Sequence, residues 1–473
     1  MEDFISSSEI SLRKFLSDSD KILKSRNGGS VLVSFALPFD NFNVNGFINH
    51  LAKYYERSIY FEKPSEDFLI AGLDEALVIS ENGEGRFAVT DKKIKEWKNS
   101  FISNWEDLPD KNVPLFLGGM KFTSEHNEDD WQDYNDSTWF VPELMILHKQ
   151  NFKYLFFNFL LQNFSKEQAI KKFRLKVEKL FKTNGSSEIL SSPKIIKSLG
   201  DSPKDKKKWK QLVSESLRRI SENQIEKVVI SRKVELQLSN EPDMKKIIEN
   251  LRKDYPNCYL FLYHHGKSSF FGATPEKLAK FSNGCVEVDA LAGSAHRGIT
   301  EEEDIQIEKA LLSDNKNLTE HNYVVEHIRN TISNLTEGFA IESHHSVKKL
   351  TNIQHIWSRI SAKLSNKSSM MNILKELYPT PAICGFPKDA ALHLIKKTEG
   401  YKRGLYSGII GWFNFNDEGE FAVALRSALL TNNKLIAFAG GGIVQNSDPE
   451  AEYKETELKL KTIMSLFKDE NKN

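Results

Sequence analysis

Six charged residues in the second half of the chain have types and spacings that suggest chemistry rather than packing. A lysine and a carboxylic acid can move protons in opposite directions, an arginine binds a carboxylate through two parallel hydrogen bonds, and paired carboxylates suit a hard cation. These residues are Lys227, Glu276, Glu320, Arg426, Glu455 and Lys459. If the fold brings them together, the chain can perform acid–base chemistry on a small anionic molecule.

Arg426 lies in the apolar segment FAVALRSALL, which we interpret as one strand that follows a hairpin turn at residues 416–419. Alternation along that strand places Ala422, Ala424 and Arg426 on one side. Small residues around a single guanidinium leave room for a planar anion, although an ordinary exposed arginine explains the pattern equally well. This segment alone leaves both interpretations open.

Four of the other residues also have ordinary structural explanations. Lys227 begins a predicted strand, where most lysines extend into solvent. Glu276 follows a threonine–proline pair, which we interpret as a helix start, where the helix dipole favours a carboxylate. Glu455 and Lys459 stand four residues apart on a predicted helix, a spacing typical of exposed ion pairs. None of these patterns establishes a site by itself.

Glu320 is harder to explain by packing. One and two turns later, the predicted helix carries Val324 and Ile328, so the carboxylate borders an apolar stripe. A carboxylate in that position needs a partner, and a cation is one way to supply it.

The elements that would position these residues are clearest from residue 208 onward. A helix in KKWKQLVSESLRRISEN leads into a strand in IEKVVISRKVEL, which contains Lys227. A long helix over residues 301–335 is expected to break within 313–317. The last helix is expected to begin at SDPE, with Ser447 as its N-cap.

The first half alternates short apolar segments with loops, which predicts a series of strands. The segments are SVLVSFALPF, SIYFEKP, DFLIAGLDEALVIS, RFAVT, PLFLGGMKF, WFVPELMILHKQ and KYLFFNFLLQNF. A helix and a polar linker over residues 165–207 mark the best candidate boundary, between an N-terminal half, residues 1–207, and a catalytic region, residues 208–473. Because the second half supplies only part of a sheet, we expect both halves to complete one large domain.

Composition narrows the class of protein. The 473 residues contain 65 basic and 65 acidic side chains, so no net field favours nucleic acid or an anionic membrane. The N-terminus lacks a secretion signal and no apolar stretch reaches about 18 residues, which predicts a cytoplasmic protein. The three cysteines are far apart and lack metal-ligand spacing, so we expect buried thiols. The expected partner is a small molecule.

Nine spaced segments together resemble the chorismate-utilising enzymes. In chain order they are EKVVISR, FFGATPEKL, ALAGSAHRG, EHNYVVEHI, IQHIWSRI, YPTPAICGFP, RGLYSGIIGW, FAVALRSA and AGGGIVQNSDPEAEYKET. The match covers roughly residues 208–467, while the first 200 residues match only through GGMKF, Trp131 and FVPEL. Within the family, the segments are most similar to the isochorismate synthases. The resemblance implies an α/β (α+β) fold of two packed, largely antiparallel sheets, with helices outside and the site between the sheets.

The resemblance also implies a role for each flagged residue. Lys227 matches the general base that activates water, and Glu276 matches the general acid that protonates the departing hydroxyl. Glu320 and Glu455 match the carboxylates that hold Mg²⁺. Contacts to chorismate are implied for Gly293, Ser294, Ala382, Arg426, Gly440 and Lys459. Ser294 replaces the usual threonine, and residues 295–298 replace the usual Arg-Pro-Arg-Gly with Ala-His-Arg-Gly.

The activity that the resemblance implies is Mg²⁺-dependent isomerisation of chorismate to isochorismate, in which water adds at C2 and the C4 hydroxyl leaves. This chemistry needs a neutral lysine and a protonated glutamic acid, and burial shifts both pKa values in the required direction. Chorismate is a dicarboxylate, so an arginine, a lysine and a metal ion are reasonable ligands.

Other activities of the family remain alternatives. Salicylate synthases also carry the lysine and eliminate pyruvate after isomerisation, so they rank second. Aminating relatives use ammonia and usually a glutamine-hydrolysing partner; Lys227 and the run Ala290-Leu291-Ala292-Gly293 favour water as the nucleophile, and we expect no amidotransferase partner. A non-catalytic chorismate-binding subunit ranks last, because no base, acid or metal ligand is missing. Whether the product supplies menaquinone, a siderophore or salicylate is left open.

Overall fold

The computed structural model describes residues 2–19, 30–39, 47–48, 55–110, 112–124, 130–161, 165–182, 193–349 and 353–467. Ten α-helices lie within these ranges. They are α1 (Glu2–Asp18), α2 (Arg86–Lys98), α3 (Lys166–Lys182), α4 (Pro203–Ser221), α5 (Met244–Asp254), α6 (Glu301–Ser313), α7 (Asn315–Ile332), α8 (Met370–Leu377), α9 (Lys388–Thr398) and α10 (Pro449–Met464). None of these described helices is long and apolar enough to cross a membrane.

The same ranges contain 22 strands. In the first half they are β1 (Leu32–Pro38), β2 (Arg57–Lys63), β3 (Phe68–Leu73), β4 (Leu77–Glu81), β5 (Phe101–Ser103), β6 (Phe116–Met120), β7 (Ser137–Val141), β8 (Leu144–Lys149), β9 (Phe152–Leu160) and β10 (Ile195–Leu199). In the second half they are β11 (Lys227–Leu238), β12 (Tyr259–His265), β13 (Ser268–Thr274), β14 (Lys277–Ser282), β15 (Cys285–His296), β16 (Thr336–Lys349), β17 (Ile353–Leu364), β18 (Gly385–Phe386), β19 (Ile409–Phe413), β20 (Gly419–Val423), β21 (Ser427–Thr431) and β22 (Lys434–Ile443).

The strands form two sheets. The large sheet has the order β10-β11-β22-β21-β13-β12-β2-β3-β8-β9-β1-β5, with β18 paired to β11, and the small sheet has the order β16-β17-β15-β14-β20-β19-β6-β7-β4. Among the described pairs only β1 and β5 run parallel, which confirms the predicted fold class. Each sheet contains strands from before and after residue 208, so neither half closes a sheet alone.

One hydrophobic core lies between the sheets and a second lies under helices. Aromatic rings from the two sheets meet between them, with Phe68 and Trp412 centred 5.8 Å apart and Phe140 and Tyr263 centred 6.2 Å apart. The second core packs the outer face of the large sheet against α1, α3 and α5. Burial of apolar area in the first core drives the sheets together, and burial in the second holds the helices on the large sheet.

Four connections of at most three residues carry the chain directly from one sheet to the other. They are residues 74–76, 142–143, 275–276 and 424–426. The predicted strand FAVALRSALL is therefore two strands, β20 in the small sheet and β21 in the large sheet. The segments DFLIAGLDEALVIS and WFVPELMILHKQ divide in the same way. A continuous apolar run does not show where a strand bends, because both of its ends are buried.

Three other local predictions were wrong. Glu276 does not start a helix, because the next residue, Lys277, begins β14. The segment RFAVT belongs to α2, whose buried residues Phe87, Thr90 and Ile94 follow helical spacing. Asp448, not Ser447, is the N-cap of α10, and its carboxylate accepts hydrogen bonds from the backbone amides of Glu450 and Ala451 in the first turn of that helix.

Several predictions in the second half were confirmed. The long helix breaks at Asp314, between α6 and α7, where the Asp314 carboxylate caps the second helix. The turn at residues 416–419 joins β19 to β20. Cys258 and Cys384 are buried free thiols, and Cys285 is a half-buried one.

Candidate active site

Glu276 and Arg426 lie together because two sheet-to-sheet connections run side by side. Strands β13 and β21 pair in the large sheet, and β14 and β20 pair in the small sheet. At the bends, the Val423 amide donates to the Glu276 carbonyl at 3.0 Å, and the Ala273 amide donates to the Arg426 carbonyl at 3.2 Å. These bonds fix the acid and the guanidinium next to each other at the gap between the sheets.

The backbone at both bends is held in place. Arg426 has a φ of 48°, a left-handed conformation that costs a non-glycine residue about 1 kcal/mol or more. The Thr274 hydroxyl donates to the Val423 carbonyl at 2.6 Å and accepts from the Glu276 amide at 3.3 Å. Such strain persists where surrounding contacts enforce it, and it is found most often at functional sites.

Lys227, the first residue of β11, extends over a glycine of the neighbouring strand β22. A Cβ atom added to Gly442 would lie 3.1 Å from the Lys227 Cε and 3.8 Å from its Nζ. The absence of a side chain at Gly442 therefore leaves space for the lysine. Burial lowers the pKa of Lys227, and the carboxylates of Glu320 and Glu276 oppose that shift.

Burial raises the pKa of Glu276 to about 7, against the opposing charges of Lys227, Lys348, Lys459 and Arg426. The side chain is nevertheless half-exposed by surface area. A side chain that protein surrounds but water still reaches lines a cleft. Lys227 and Glu276 therefore face one cleft, and burial moves each toward its neutral form.

Helix α10 supplies a cation and carboxylates to the same cleft. The Lys459 ammonium donates to the Gly440 carbonyl at 2.8 Å and pairs with Glu455 at 2.6 Å. A Cβ atom on Gly440 would lie 3.1 Å from the Tyr406 hydroxyl, so a larger residue would crowd this wall of the cleft. The predicted Glu455–Lys459 ion pair is thus present.

Helix α7 carries Glu320 and packs on β15, which carries Gly293. Gly293 has a φ of +74°, and a Cβ atom there would lie 3.1 Å from the Asn317 Cβ. Glu320 is exposed, although Val324 is half-buried and Ile328 is buried. The prediction that Glu320 needs a partner because it borders an apolar stripe was therefore wrong, because its side chain is exposed to solvent. Among the charged groups around Lys227, Glu320 has the largest effect on the pKa of that lysine.

Two other predicted contact residues are Ala382 and Ser294. Ala382 is exposed in the turn between α8 and β18. Its loop is tied to β11, because the Val229 amide donates to the Cys384 carbonyl at 2.8 Å. Ser294 lies in β15 opposite His355, and its side chain is outside the described part of the structure.

Three residues of the cleft were missed by the sequence analysis. Glu452 accepts a hydrogen bond from the Ser447 hydroxyl at 2.7 Å, and burial together with Glu455 raises its pKa. Its position three residues before Glu455 is the signal, because that spacing places both on one helix face. The other two residues are His355 on β17 and Lys348 on β16, which are paired across the two strands. Burial lowers the pKa of His355.

The carboxylates on α7 and α10 fit a hard cation. The described residues contain no group of three or more histidine, cysteine or acidic side chains arranged to hold a metal ion. Glu320 and Glu455 are both exposed, and both act on charged groups of the cleft. Two carboxylates offer only oxygen donors and leave other positions to water and substrate, which is the coordination that Mg²⁺ prefers.

We expect a bell-shaped dependence of kcat/KM on pH. At low pH Lys227 is protonated and cannot accept a proton, while at high pH Glu276 is ionised and cannot donate one, so the rate falls at both ends. One limb is expected at about pH 7, from Glu276, and the other below the ordinary lysine pKa, from Lys227. Initial rates across a buffer series test this, and a profile with no limb near neutral pH contradicts it.

The sequence also matches known proteins. The family model of the chorismate-binding enzymes matches residues 16–468. An isochorismate synthase of Bacillus subtilis is 30% identical over 455 residues, which cover 94% of this chain and 95% of that protein. An anthranilate synthase component 1 of Saccharolobus solfataricus is 29% identical over 431 residues, which cover 86% of this chain and 96% of that protein.

The fold matches a solved structure of similar length. The menaquinone-specific isochorismate synthase of Escherichia coli superposes with a TM-score of 0.75 at 23% sequence identity, covering 93% of this chain and 95% of that chain. At this identity the likeness supports the architecture of the two sheets and not a particular reaction.

Proposed function

Because the chain belongs to the chorismate-binding enzyme family, we propose that it is an isochorismate synthase. The observation that carries the proposal is the presence of Lys227 and Glu276 in one cleft, where burial moves both toward the neutral forms that the reaction needs. One group can accept a proton and the other can donate one at the same pH.

Lys227 and Glu276 supply the two proton transfers that the proposed reaction needs. The neutral Lys227 amine takes a proton from water as the oxygen forms a bond to C2 of chorismate. The two ring double bonds shift, the C4–O bond breaks, and Glu276 gives its proton to the departing hydroxyl, which leaves as water. Lys227 then holds an extra proton and Glu276 lacks one, so a proton transfer through solvent restores both.

Binding of the substrate is assigned to the cations of the cleft. Arg426 is held by its backbone bonds, and its fork of donors suits a carboxylate. In the proposed complex Lys459 neutralises charge beside Gly440. Glu320 and Glu455 would hold Mg²⁺, which supplies positive charge for a substrate carboxylate when bound.

Sequence identity does not separate hydroxyl transfer from amination, since the two relatives are 30% and 29% identical. The proposal of hydroxyl transfer rests on Lys227, because an aminating enzyme receives its nucleophile as ammonia and has no need of a base at that position. Salicylate synthase remains the second candidate on the same lysine, because isomerisation is the first of its two steps.

Product analysis tests the proposal. The purified protein is incubated with chorismate and Mg²⁺, with and without ammonia, and products are separated by chromatography. We expect isochorismate as the single product, formed equally in both conditions. Salicylate with pyruvate would select the second candidate, and an aminated product or no turnover would overturn the assignment.

We expect Glu320→Gln to raise the Mg²⁺ concentration needed for half-maximal activity by at least about tenfold, because a neutral amide is a weaker ligand than a carboxylate. Metal titrations of activity measure this. Glu326→Gln is the matched control, since Glu326 lies on the same helix and pairs only with Arg329 among its described ion-pair contacts. An unchanged metal requirement in Glu320→Gln would make Glu320 structural.

A further inference from the structure

Asp289, on β15, is a buried carboxylate that holds two lysines next to the cleft. Its side chain is 4% exposed. The Lys277 ammonium lies 3.1 Å from one carboxylate oxygen, and the Lys348 ammonium lies 3.2 Å from the other. Lys277 is nearly buried, whereas the Lys348 side chain is 30% exposed.

Besides contacting Asp289, Lys348 lies close to residues of the cleft. It is paired with His355 across β16 and β17, and His355 is paired with Ser294 across β17 and β15. The positive charge of Lys348 lowers the pKa values of Glu276, His355 and Cys258. Among charged groups, Arg426 has the largest effect on the pKa of the Cys258 thiol. Lys348 therefore lies on the Arg426 side of the cleft, within electrostatic range of the catalytic acid.

The groups already assigned give each substrate carboxylate one main partner, Arg426 for one and the proposed Mg²⁺ for the other. Lys459 directs its ammonium to the Gly440 carbonyl and to Glu455, so two of its three donors are in use. Arg426 can pair with one carboxylate. A second cation on the Arg426 side would let that carboxylate be bound by two charges.

Lys348 can act as that second cation without leaving the buried Asp289 carboxylate unpaired. If its ammonium turns from Asp289 toward the cleft, Lys277 still neutralises Asp289. This matters because an isolated buried carboxylate is strongly destabilising. The long lysine stem can rotate, and its side chain is 30% exposed, so solvent reaches it.

We propose that Lys348 is a further substrate-binding residue. Its ammonium moves away from Asp289 and, together with Arg426, binds one carboxylate of the dicarboxylate substrate. The inference rests on the proposed function, because it takes chorismate as the ligand. Lys277 keeps the structural role and Lys348 the binding role.

The test compares Lys348→Met with Lys349→Met in steady-state kinetics with chorismate at saturating Mg²⁺. Because Lys348→Met cannot make a charge-assisted hydrogen bond to the substrate, we expect its KM to rise about tenfold and its kcat to change less than about twofold. Lys349 is the matched control, because it lies on the same strand and pairs with Asp304 and Glu308. Lys348→Arg should restore most of the affinity.

Calorimetric titration with chorismate in the presence of a chelator gives a second measurement that does not depend on turnover. We expect the same weakening of about tenfold in Lys348→Met and none in Lys349→Met. Unchanged Kd and KM in a folded Lys348→Met variant would overturn the inference. If the wild-type protein binds chorismate but forms no isochorismate, the proposed function fails while the binding comparison still decides the role of Lys348.

Discussion

Lys227→Ala is expected to lower kcat for isochorismate formation by a factor of about 100 to 10,000, because a positioned general base contributes that much to proton transfer. The lysine lies at the start of β11 and is half-buried; it is paired with Phe386 on β18, and its stem lies over Gly442 of β22. Its removal therefore leaves the apolar packing of the strand in place. Single-turnover and steady-state rates with chorismate measure the effect.

Lys233→Ala is the matched control for Lys227→Ala. It lies on the same face of β11, six residues later, and pairs with Asp130 and Glu235 at 3.4 Å and 2.7 Å. We expect the control to keep most of the activity and both variants to melt near the wild-type temperature. Wild-type turnover in Lys227→Ala would remove the base from the mechanism and with it the argument for water as the nucleophile.

Arg403→Met is expected to destabilise the protein by about 3–5 kcal/mol, because it leaves the Glu399 carboxylate buried without its partner. Both side chains are almost fully buried, at 2% and 1% exposure. The guanidinium also donates to the Val229 carbonyl at 2.7 Å and to the Ile383 carbonyl at 2.8 Å. It thereby joins the strand of Lys227 to the loop of Ala382.

Urea denaturation of Arg403→Met measures the loss, with Arg219→Met as the control. Arg219 makes a comparable pair with Glu215 at 2.9 Å on α4, where solvent reaches both side chains at 30% and 33% exposure, and pairs that water reaches are worth about 1 kcal/mol or less. The double variant Glu399→Gln, Arg403→Met should lose less than the sum of the two single variants, because it leaves no unpaired charge. A loss in Arg403→Met as small as that of the control would mean that the pair contributes little.

Much of the second half of the fold could be predicted because its elements carry complete local signals. The strand of Lys227, the break between α6 and α7, and the hairpin before Arg426 all follow from periodicity and turn residues. The motif resemblance then gave the fold class, which the sheets confirm. The roles of the individual site residues stay predictions.

The bends between sheets could not be predicted. Glu276 and Arg426 stand at two of them, and both were assigned to the wrong local structure. Burial is similar before and after each bend, so hydropathy is continuous, and the change of direction depends on partners roughly 150 residues away in the chain. Lys348 and Glu452 were missed for a related reason, since a lysine in a strand and a glutamate in a helix become informative only when their neighbours are known.

The sheet-to-sheet connections limit how the cleft can change its width. At the Glu276 and Arg426 bends, each strand continues through both sheets and is bonded to the other, so the sheets cannot separate there without breaking those bonds. The carboxyl group of Glu276 and the guanidinium of Arg426 are thus attached to a rigid frame. Glu320 and Glu455 are on helices that pack against the sheets from outside their hydrogen-bonded ladders. We therefore expect any change in the width of the cleft to come from movement of α7 and α10 relative to the sheets.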